Sequence, residues 1–396
     1  MNNLFKDNAY FTLAQIVSPW STTDAIAPLR ALLTHKDQLD FLIVLANHHL
    51  CSPQLYLALK RLGWLNDLAD QARDYLETIY ILNRERNLEI FAGLHAALVA
   101  LKRHGVQTII LKGGANFVDT LYDDIGTRIM HDIDILVESA DVETTKQCLL
   151  ELGYCESVMP GMEKENLPTD DRHCHLPAFY KPDTQLTIEV HYHVAYGQAG
   201  RVFDLPAIWR NKITGTISGC PVSIFDHTNR VLHNAVHALV PECEYISSNI
   251  QLRHILEFCL IVQKHKNIIN WTTCLNMCKK VGIEYQFLAY VEAAHKLFNM
   301  KMPKDLPRKG LTAINAYRLI VGGNYFPLPT QAQIRCTRGM MSNFIKFLLK
   351  SFYFLQLPLW AWDNVCYAEG LKNVPLRLKC LVKKIFSPES RTRIQL

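Results

Sequence analysis

The chain has 396 residues, of which 49% are hydrophobic and 20% are charged. This balance is typical of folded globular proteins with two or three domains, and it excludes an intrinsically disordered chain. The formal net charge of +5 is modest. Such a charge is compatible with an anionic ligand, but it does not indicate the dense basic face of a nucleic-acid-binding protein, so we do not expect a nucleic-acid partner.

The cysteines and the first residues bear on the cellular compartment. Twelve cysteines are spread along the chain, and the close pair Cys274 and Cys278 lacks the second half that a zinc site needs. We therefore expect mostly buried thiols in a reducing compartment. The opening MNNLFKDNAYF lacks the basic segment and apolar run of a signal peptide. These features favour a cytoplasmic protein.

Residues 1–104 have the apolar spacing of helices. The clearest helix is predicted at 74–104, where apolar residues recur at helical intervals and Gly105 provides a stop. The repeat consists of Leu88, Phe91, His95, Leu98 and Leu101. We place an N-terminal helical region at 1–83 and a core region at 84–215.

After Gly105 the pattern changes to that of a strand. Val106–Lys112 is rich in β-branched residues, and Gly113 and Gly114 follow it directly, ahead of a predicted helix at 115–122. Two glycines at a helix start allow a backbone to approach phosphate closely. An ordinary tight turn between strand and helix explains the same glycines equally well.

A second strand, Met130–Val137, carries two aspartates. Alternate residues of a strand point to one face, so Asp132 and Asp134 should project together. Two neighbouring carboxylates are stable mainly with a cation between them, and hard oxygen ligands suit Mg²⁺. The flanking cations Lys112 and Arg128 are candidates to meet phosphate oxygens or the pyrophosphate leaving group. A strand-end cation or a surface ion pair is the alternative explanation for each, and we favour the functional role for Arg128 because it immediately precedes the aspartate strand.

Further along, a helix is predicted at 142–152 and a loop, which could serve as a lid, at 156–172. Two strands joined by a hairpin follow at 173–181 and 185–194. Glu189 lies in the second of these strands between Ile188 and Val190, and alternation places it on the polar face. It is a candidate third carboxylate.

Two His-x-His pairs, His173/His175 and His191/His193, lie on these strands. If the strands pair, four imidazoles could assemble a zinc or iron site. Histidines on such a sheet also contact phosphates or bases, and we select His175 and His191 as candidate substrate contacts.

The rest of the chain is predicted to be helical, with helices near 250–263, 272–281 and 284–298 inside a helical region at 216–300. By their spacing, Arg253 and Glu257 are expected to form a pair on a helix surface.

A linker at 301–307 opens a C-terminal helical region at 301–396 that ends in a basic tail. Its apolar window, 340–363, is interrupted by lysines and a proline, so a transmembrane span is not expected. Residues 340–396 suit either peripheral contact with an anionic membrane or a buried helix with a solvated tail.

The order of these motifs resembles the DNA polymerase beta-like nucleotidyltransferase superfamily. The sequence is more closely similar to a bacterial group of uncharacterised nucleotidyltransferases with an LKG…LY.D.G.R…DiDiLV pattern and a later iElH strand. At the position of Glu257 that group tends to have Asp. The matching residues are Leu111-Lys112-Gly113, Leu121-Tyr122, Asp124, Gly126, Arg128, the segment Asp132–Val137, Gly153-Tyr154 and Ile188-Glu189-Val190-His191.

The resemblance implies an α+β fold, in which a small mixed β-sheet nucleotidyltransferase core is flanked by N-terminal and C-terminal helical regions. It implies that Asp132, Asp134 and Glu189 are catalytic metal ligands for Mg²⁺, or alternatively Mn²⁺. A nucleoside monophosphate would pass from an NTP such as ATP to an unidentified hydroxyl or phosphate acceptor, with release of pyrophosphate. Nucleotide contacts would come from Lys112, Gly113, Gly114 and Arg128.

Three other hypotheses remain. The same core could act on tRNA or on a protein, as toxin-like nucleotidyltransferases do. The chain could instead be a non-catalytic nucleotide-binding protein, although a degenerate core has no reason to keep three clustered carboxylates. The third is a zinc-dependent hydrolase that uses the His-x-His pairs.

Overall fold

The computed structural model describes residues 9–157, 174–182, 184, 186–241, 245, 250–308 and 310–323. The helices are α1 Ala9–Val17, α2 Thr23–Ile26, α3 Lys36–His48, α4 Ser52–Leu62, α5 Asp70–Arg103, α6 Asn116–Asp119, α7 Val142–Glu151, α8 Gly197–Gly200, α9 Leu205–Asn211, α10 His227–Leu239, α11 Leu252–His265, α12 Trp271–Lys280, α13 Glu284–Phe298 and α14 Gly310–Gly323. The strands are β1 Ile109–Ile110, β2 Ile133–Leu136, β3 Cys155–Glu156, β4 Phe179–Tyr180, β5 Thr187–His191, β6 Ile213–Ile217 and β7 Cys220–Ile224.

The predicted long helix is α5, which ends where Gly105 adopts a left-handed φ of 74° and Val106 donates its N–H to the Leu101 carbonyl. This glycine stop is the one that the sequence indicates. The buried face differs in part from the expected repeat, because Leu88 is 43% exposed. The face that packs on the sheet includes Ile90, Leu94, Ala97, Leu98 and Leu101.

One mixed sheet has the strand order β3-β4-β5-β2-β1-β7-β6. Its centre is formed by β2, which pairs parallel with β5 on one side and antiparallel with β1 on the other. β4 and β5 form the predicted antiparallel hairpin. The sheet is flanked by helices, which confirms the predicted α+β class.

Several predicted elements are shorter than expected. β1 covers only Ile109–Ile110, because Lys112 takes a left-handed φ of 45° and turns the chain into a 3₁₀ segment, Lys112–Ala115. The helix predicted at 115–122 is reduced to α6, which ends at Thr120 with a φ of 47°. The helices predicted at 142–152 and 284–298 are found as α7 and α13.

Two hydrophobic cores meet at the sheet. One lies between the sheet and α5 and α7, and it contains Ile133, Ile135 and Val190. The other joins the N-terminal helices to α10, α11 and α13, and it receives Ile109 and Leu136 from the sheet. The ends of β1 and β2 therefore lie beside the helices that follow β7.

Beyond α13, residues 300–308 connect to α14, which packs against α13. Within the described ranges, no helix combines the length and apolar character that crossing a bilayer requires. The predicted membrane-contacting segment, 340–396, and nearly all of the predicted lid, 156–172, lie outside the described residues.

Candidate active site

Asp134 and Glu189 face each other across neighbouring strands. The parallel register of β2 and β5 pairs Asp134 with Glu189 directly, so both side chains project from one face of the sheet. Asp132 is the residue immediately before β2, and it lies close enough to Asp134 and Glu189 for the three charges to interact. Burial raises the pKa of the Asp132 carboxyl, and repulsion from Asp134 and Glu189 raises it further. Asp134 and Glu189 are thus brought together as predicted, and Asp132 lies near them but outside the group whose ligand atoms are within 4.8 Å of one another.

Two cationic groups converge on one oxygen of Asp134. The Lys112 ammonium lies 2.6 Å from Asp134 Oδ1, and His191 Nε2 lies 2.9 Å from the same atom. Burial alone would raise the pKa of Asp134, but the charge of Lys112 and the hydrogen bond from His191 hold it well below its usual range. Asp134 is 2% exposed and ionised, so it acts as the electrostatic centre of the cluster.

His191 completes a group of potential metal ligands. One ligand atom from each of Asp134, Glu189 and His191 lies within 4.8 Å of the others. Burial would lower the pKa of the His191 imidazole, but its hydrogen bonds to Asp134 and Glu189 raise it well above the usual value. His191 thus contacts the carboxylate Asp134 directly. The substrate contact predicted for it from the sequence stays a prediction.

The remaining histidines of the two pairs do not join this group. His175 Nε2 is 4.0 Å from Glu189 Oε2, and its ring centroid is 4.9 Å from that of His191. His193 lies beyond the end of β5 and is exposed, because strand alternation no longer governs its direction there. His173 lies outside the described residues. Within the described part of the chain, the four-histidine site is therefore not formed.

The glycine turn is tightly packed. A Cβ atom at Gly113 would overlap the Arg128 guanidinium, and one at Gly114 would come within 2.6 Å of the Ile110 side chain. Both glycines are thus required for close packing beside the carboxylates. This packing agrees with the explanation that the glycines form a tight turn between strand and helix. Their contact with phosphate stays a prediction.

Arg128 forms a buried ion pair with Glu257 of α11. Its Nε lies 2.5 Å from Glu257 Oε2, and the Glu257 side chain is 6% exposed. The expected surface pair of Arg253 and Glu257 is therefore wrong. Helical spacing indicates that two residues share a face, but here that face packs against the glycine turn instead of facing solvent.

Two asparagines that the sequence analysis did not select hold the loop before β2. Asn83 and Asn87 of α5 donate hydrogen bonds to the carbonyl of Arg128, and they also bind the carbonyls of Gly126 and Ile125, respectively. Their spacing of four positions on a largely apolar face was the available signal.

A second group with metal-ligand side chains consists of Asp119, His227 and His265. The Asp119 carboxylate already pairs with Arg230 and accepts a hydrogen bond from His265. The rings of His227 and His265 are stacked at 3.4 Å. These contacts account for the cluster without an ion.

One comparison with known proteins identifies the family of this chain. The model of a family described as uncharacterised nucleotidyltransferase matches residues 35–299. The solution structure of the antibiotic-resistance factor ANT(2'')-Ia is similar at 15% identity, over 49% of this chain and 92% of that one, with a TM-score of 0.34. That score is too low to support an argument. Among curated proteins none matches. Because the family match covers well over half of the chain, the protein belongs to this nucleotidyltransferase family and is a transferase.

Proposed function

We propose that this protein transfers a nucleoside monophosphate from an NTP to a hydroxyl or phosphate acceptor, with Mg²⁺ as the metal and pyrophosphate as the leaving group. We also assign it to the DNA polymerase beta-like superfamily. The observation that carries the proposal is the pairing of Asp134 with Glu189 in the β2/β5 register, with Asp132 just before β2. Two carboxylates on one sheet face, with a third at the start of the strand, are suited to metal-assisted phosphoryl chemistry.

The donor set fits a divalent cation. Among the described residues, Asp132 has no cation within ion-pair distance, and its pKa is raised by burial and by the neighbouring carboxylates. A bound cation would relieve that repulsion, and oxygen donors favour Mg²⁺, with Mn²⁺ as the alternative that also accepts His191. Bound there, the metal would lower the pKa of an attacking hydroxyl and neutralise charge on the phosphates.

The side chains around the carboxylates have separable roles in this proposal. His191 orients Asp134 through its Nε2 hydrogen bond. Asp132 would bind the metal together with Asp134 and Glu189. His175, beside Glu189, contacts a substrate.

The nucleotide contacts are assigned to Lys112, Gly113, Gly114 and Arg128. Lys112 contacts Asp134, and the charge of Arg128 acts on Asp132. Gly113 and Gly114 follow Lys112 in the 3₁₀ segment. Positive charge at this position would meet the triphosphate as it approaches the metal.

A cytoplasmic location is part of the same proposal. The described cysteines, including Cys274 and Cys278, are free thiols, as expected in a reducing compartment.

The test is nucleotide transfer by the full chain with each NTP, Mg²⁺ and pooled acceptors, followed by mass spectrometry of products and by pyrophosphate release. Asp132→Asn with Asp134→Asn should lower the rate more than about 100-fold, because even residues that only support metal ligands cost 10- to 100-fold. Glu138→Gln is the matched control, since Glu138 is exposed just past β2. Equal rates in the double variant and the control would place the chemistry elsewhere.

The acceptor pool includes tRNA and proteins, so that the toxin-like activity is examined in the same assay. If wild-type protein binds no NTP by calorimetry with Mg²⁺ present, the proposal fails.

A further inference from the structure

A cavity of about 240 Å³ lies beside the glycine turn, between that turn and helices α10 and α11. Its walls carry four cations and two carboxylates: Lys112, Arg128, Arg230, Arg253, Asp132 and Glu257. Asp132 belongs to the carboxylate cluster as well, so the cavity adjoins the proposed catalytic groups. The proposed nucleotide contacts use Lys112 and Arg128, and they assign no role to the other two cations, Arg230 and Arg253.

Three of these cations are neutralised by carboxylates. Lys112 pairs with Asp134, Arg128 with Glu257, and Arg230 with Asp119. Such pairs offset the cost of burying a charge.

Arg253 differs from them. Its Nη1 donates a 3.2 Å hydrogen bond to the Ile129 carbonyl, and its Nη2 lies 3.2 Å from His254 Nε2. Its Nε is buried and has no hydrogen-bond partner, and no carboxylate of the described residues lies within ion-pair distance of it. Burial lowers the pKa of its guanidinium and the nearby charge of Arg128 lowers it further, whereas attraction to Glu257, which lies beyond ion-pair distance, partly opposes this.

A largely buried cation without an ion-pair partner is costly, and the usual compensation is an anion. The guanidinium fork matches phosphate and carboxylate geometry. The cavity is smaller than the roughly 300–1,000 Å³ of pockets that enclose a drug-sized ligand, so it suits one charged group and not a whole nucleotide.

We propose that this cavity binds a phosphoryl group and that Arg253 is the cation that selects it. The place of this group in the reaction rests on the proposed function, since a phosphoryl group reaches the site either on the NTP or on a phosphorylated acceptor. The neutral imidazoles of His233 and His237 line the same cavity and leave the positive charge to the arginines.

The first experiment is calorimetric titration of pyrophosphate and of inorganic phosphate into the full chain without divalent metal, so that the carboxylates contribute no binding. Arg253→Met should weaken binding at least about tenfold, and Arg253→Lys, which keeps the charge but loses the fork, should weaken it less. Arg103→Met is the control, because Arg103 is exposed at the end of α5 and should leave the affinity unchanged. Equal affinity for wild type and Arg253→Met, or no binding by the wild type, overturns the proposal.

A second titration identifies the source of the phosphoryl group. It repeats the phosphate titration on protein saturated with Mg²⁺ and a non-hydrolysable NTP. Loss of phosphate binding assigns the cavity to the triphosphate, whereas retained, Arg253-dependent binding assigns it to a phosphorylated acceptor.

Failure of this inference and failure of the proposed function give different results. Arg253-dependent phosphate binding without nucleotide transfer would remove the function and keep the anion site. Nucleotide transfer together with phosphate binding that does not depend on Arg253 would keep the proposed function and remove the anion site.

Discussion

The carboxylate cluster and the cationic cavity share Lys112 and Asp132 but balance charge in opposite ways. In the cluster of Asp132, Asp134 and Glu189, negative charge is in excess, and Lys112 and His191 both contact Asp134. In the cavity, positive charge is in excess, and most cations have individual partners. The groups left without an ion-pair partner among the described residues, Asp132 in one region and Arg253 in the other, are those to which we assign ligands.

The two regions also differ in how they are assembled. The carboxylates come from adjacent strands whose hydrogen-bonded register determines their separation. The cavity arginines come from a loop and from helices α10 and α11, and only side-chain packing brings them together. We therefore expect substitutions in the cavity to reveal more about stability, and those in the cluster more about metal binding.

The largest expected effect tests the contrast between paired and unpaired arginines. Glu257→Gln should lower the free energy of unfolding by about 3 kcal/mol or more, because it leaves the buried Arg128 charge uncompensated. Arg253→Met should leave that free energy unchanged or raise it, since it removes a charge that already lacks a counter-ion. Urea denaturation of both variants provides the measurement.

The control is the double variant Arg128→Met with Glu257→Met, which removes both charges and should lose less stability than Glu257→Gln alone. Similar losses for Glu257→Gln and Arg253→Met would remove the distinction between the two arginines.

A smaller effect concerns the shared residue Lys112. Burial alone would lower the pKa of its ammonium, but attraction to Asp134, Asp132 and Glu189 raises it, so Lys112 neutralises the cluster when no metal is bound. Lys112→Met should therefore cost about 2 kcal/mol without metal, as for a lost charged hydrogen bond. Saturating Mg²⁺ should then raise its melting temperature more than that of the wild type.

Lys146→Met is the matched control for this measurement, because its ion pair with Glu156 is partly exposed and away from the cluster. If Mg²⁺ raises the melting temperatures of wild type and Lys112→Met equally, Lys112 does not compete with the metal.

The smallest effect is a pH dependence at the cavity wall. Burial and the charge of Lys112 lower the pKa of His233 to about 3, below the usual value of 6.5. Since the folded protein prefers the neutral imidazole, the stabilisation is fully present above pH 6.5 and is lost as the pH falls toward 3. Between pH 6.5 and 5 the loss is about 1.6 kcal/mol, because the slope approaches about 1.4 kcal/mol per pH unit only below pH 6.5.

Urea denaturation at pH 7 and pH 5 measures this loss. The free energy of unfolding should decrease less in His233→Gln than in the wild type, and the difference between the two decreases should equal the loss. An identical decrease in wild type and variant would mean that another group is responsible. His227, whose pKa is lowered to about 4 mainly by burial, contributes equally to both proteins and cancels in the comparison.

Much of the fold follows from local patterns. The glycine stop of α5 and the helices α7 and α13 are predicted by the sequence, as are the antiparallel hairpin β4/β5 and the presence of the aspartates on one strand. Helical and strand periodicities are properties of neighbouring residues, so a single sequence suffices to reveal them.

The convergence of Glu189 with the aspartates is an intermediate case. Alternation places Glu189 on the polar face of its strand, but the parallel pairing of β5 with β2 depends on the crossover through α7 and on the packing of Ile133 and Val190 in the core. The sequence therefore indicated the three candidate carboxylates, and the tertiary structure decided that Glu189 lies beside Asp134.

The sequence by itself determined α5, α7, α13 and the β4/β5 hairpin, the motif order and the acidic residues of the candidate site, but it did not indicate β6 or β7, the latter inside the region 216–300 that is predicted to be helical. Only the tertiary structure decided that Glu257 pairs with Arg128, 129 positions away, that the glycines accommodate the Arg128 guanidinium and an isoleucine, and that Arg253 lies in a cavity wall without a described carboxylate partner. The physical reason is that the partner of a buried charge depends on which faces of distant elements pack together. Spacing along the chain carries no information about that choice.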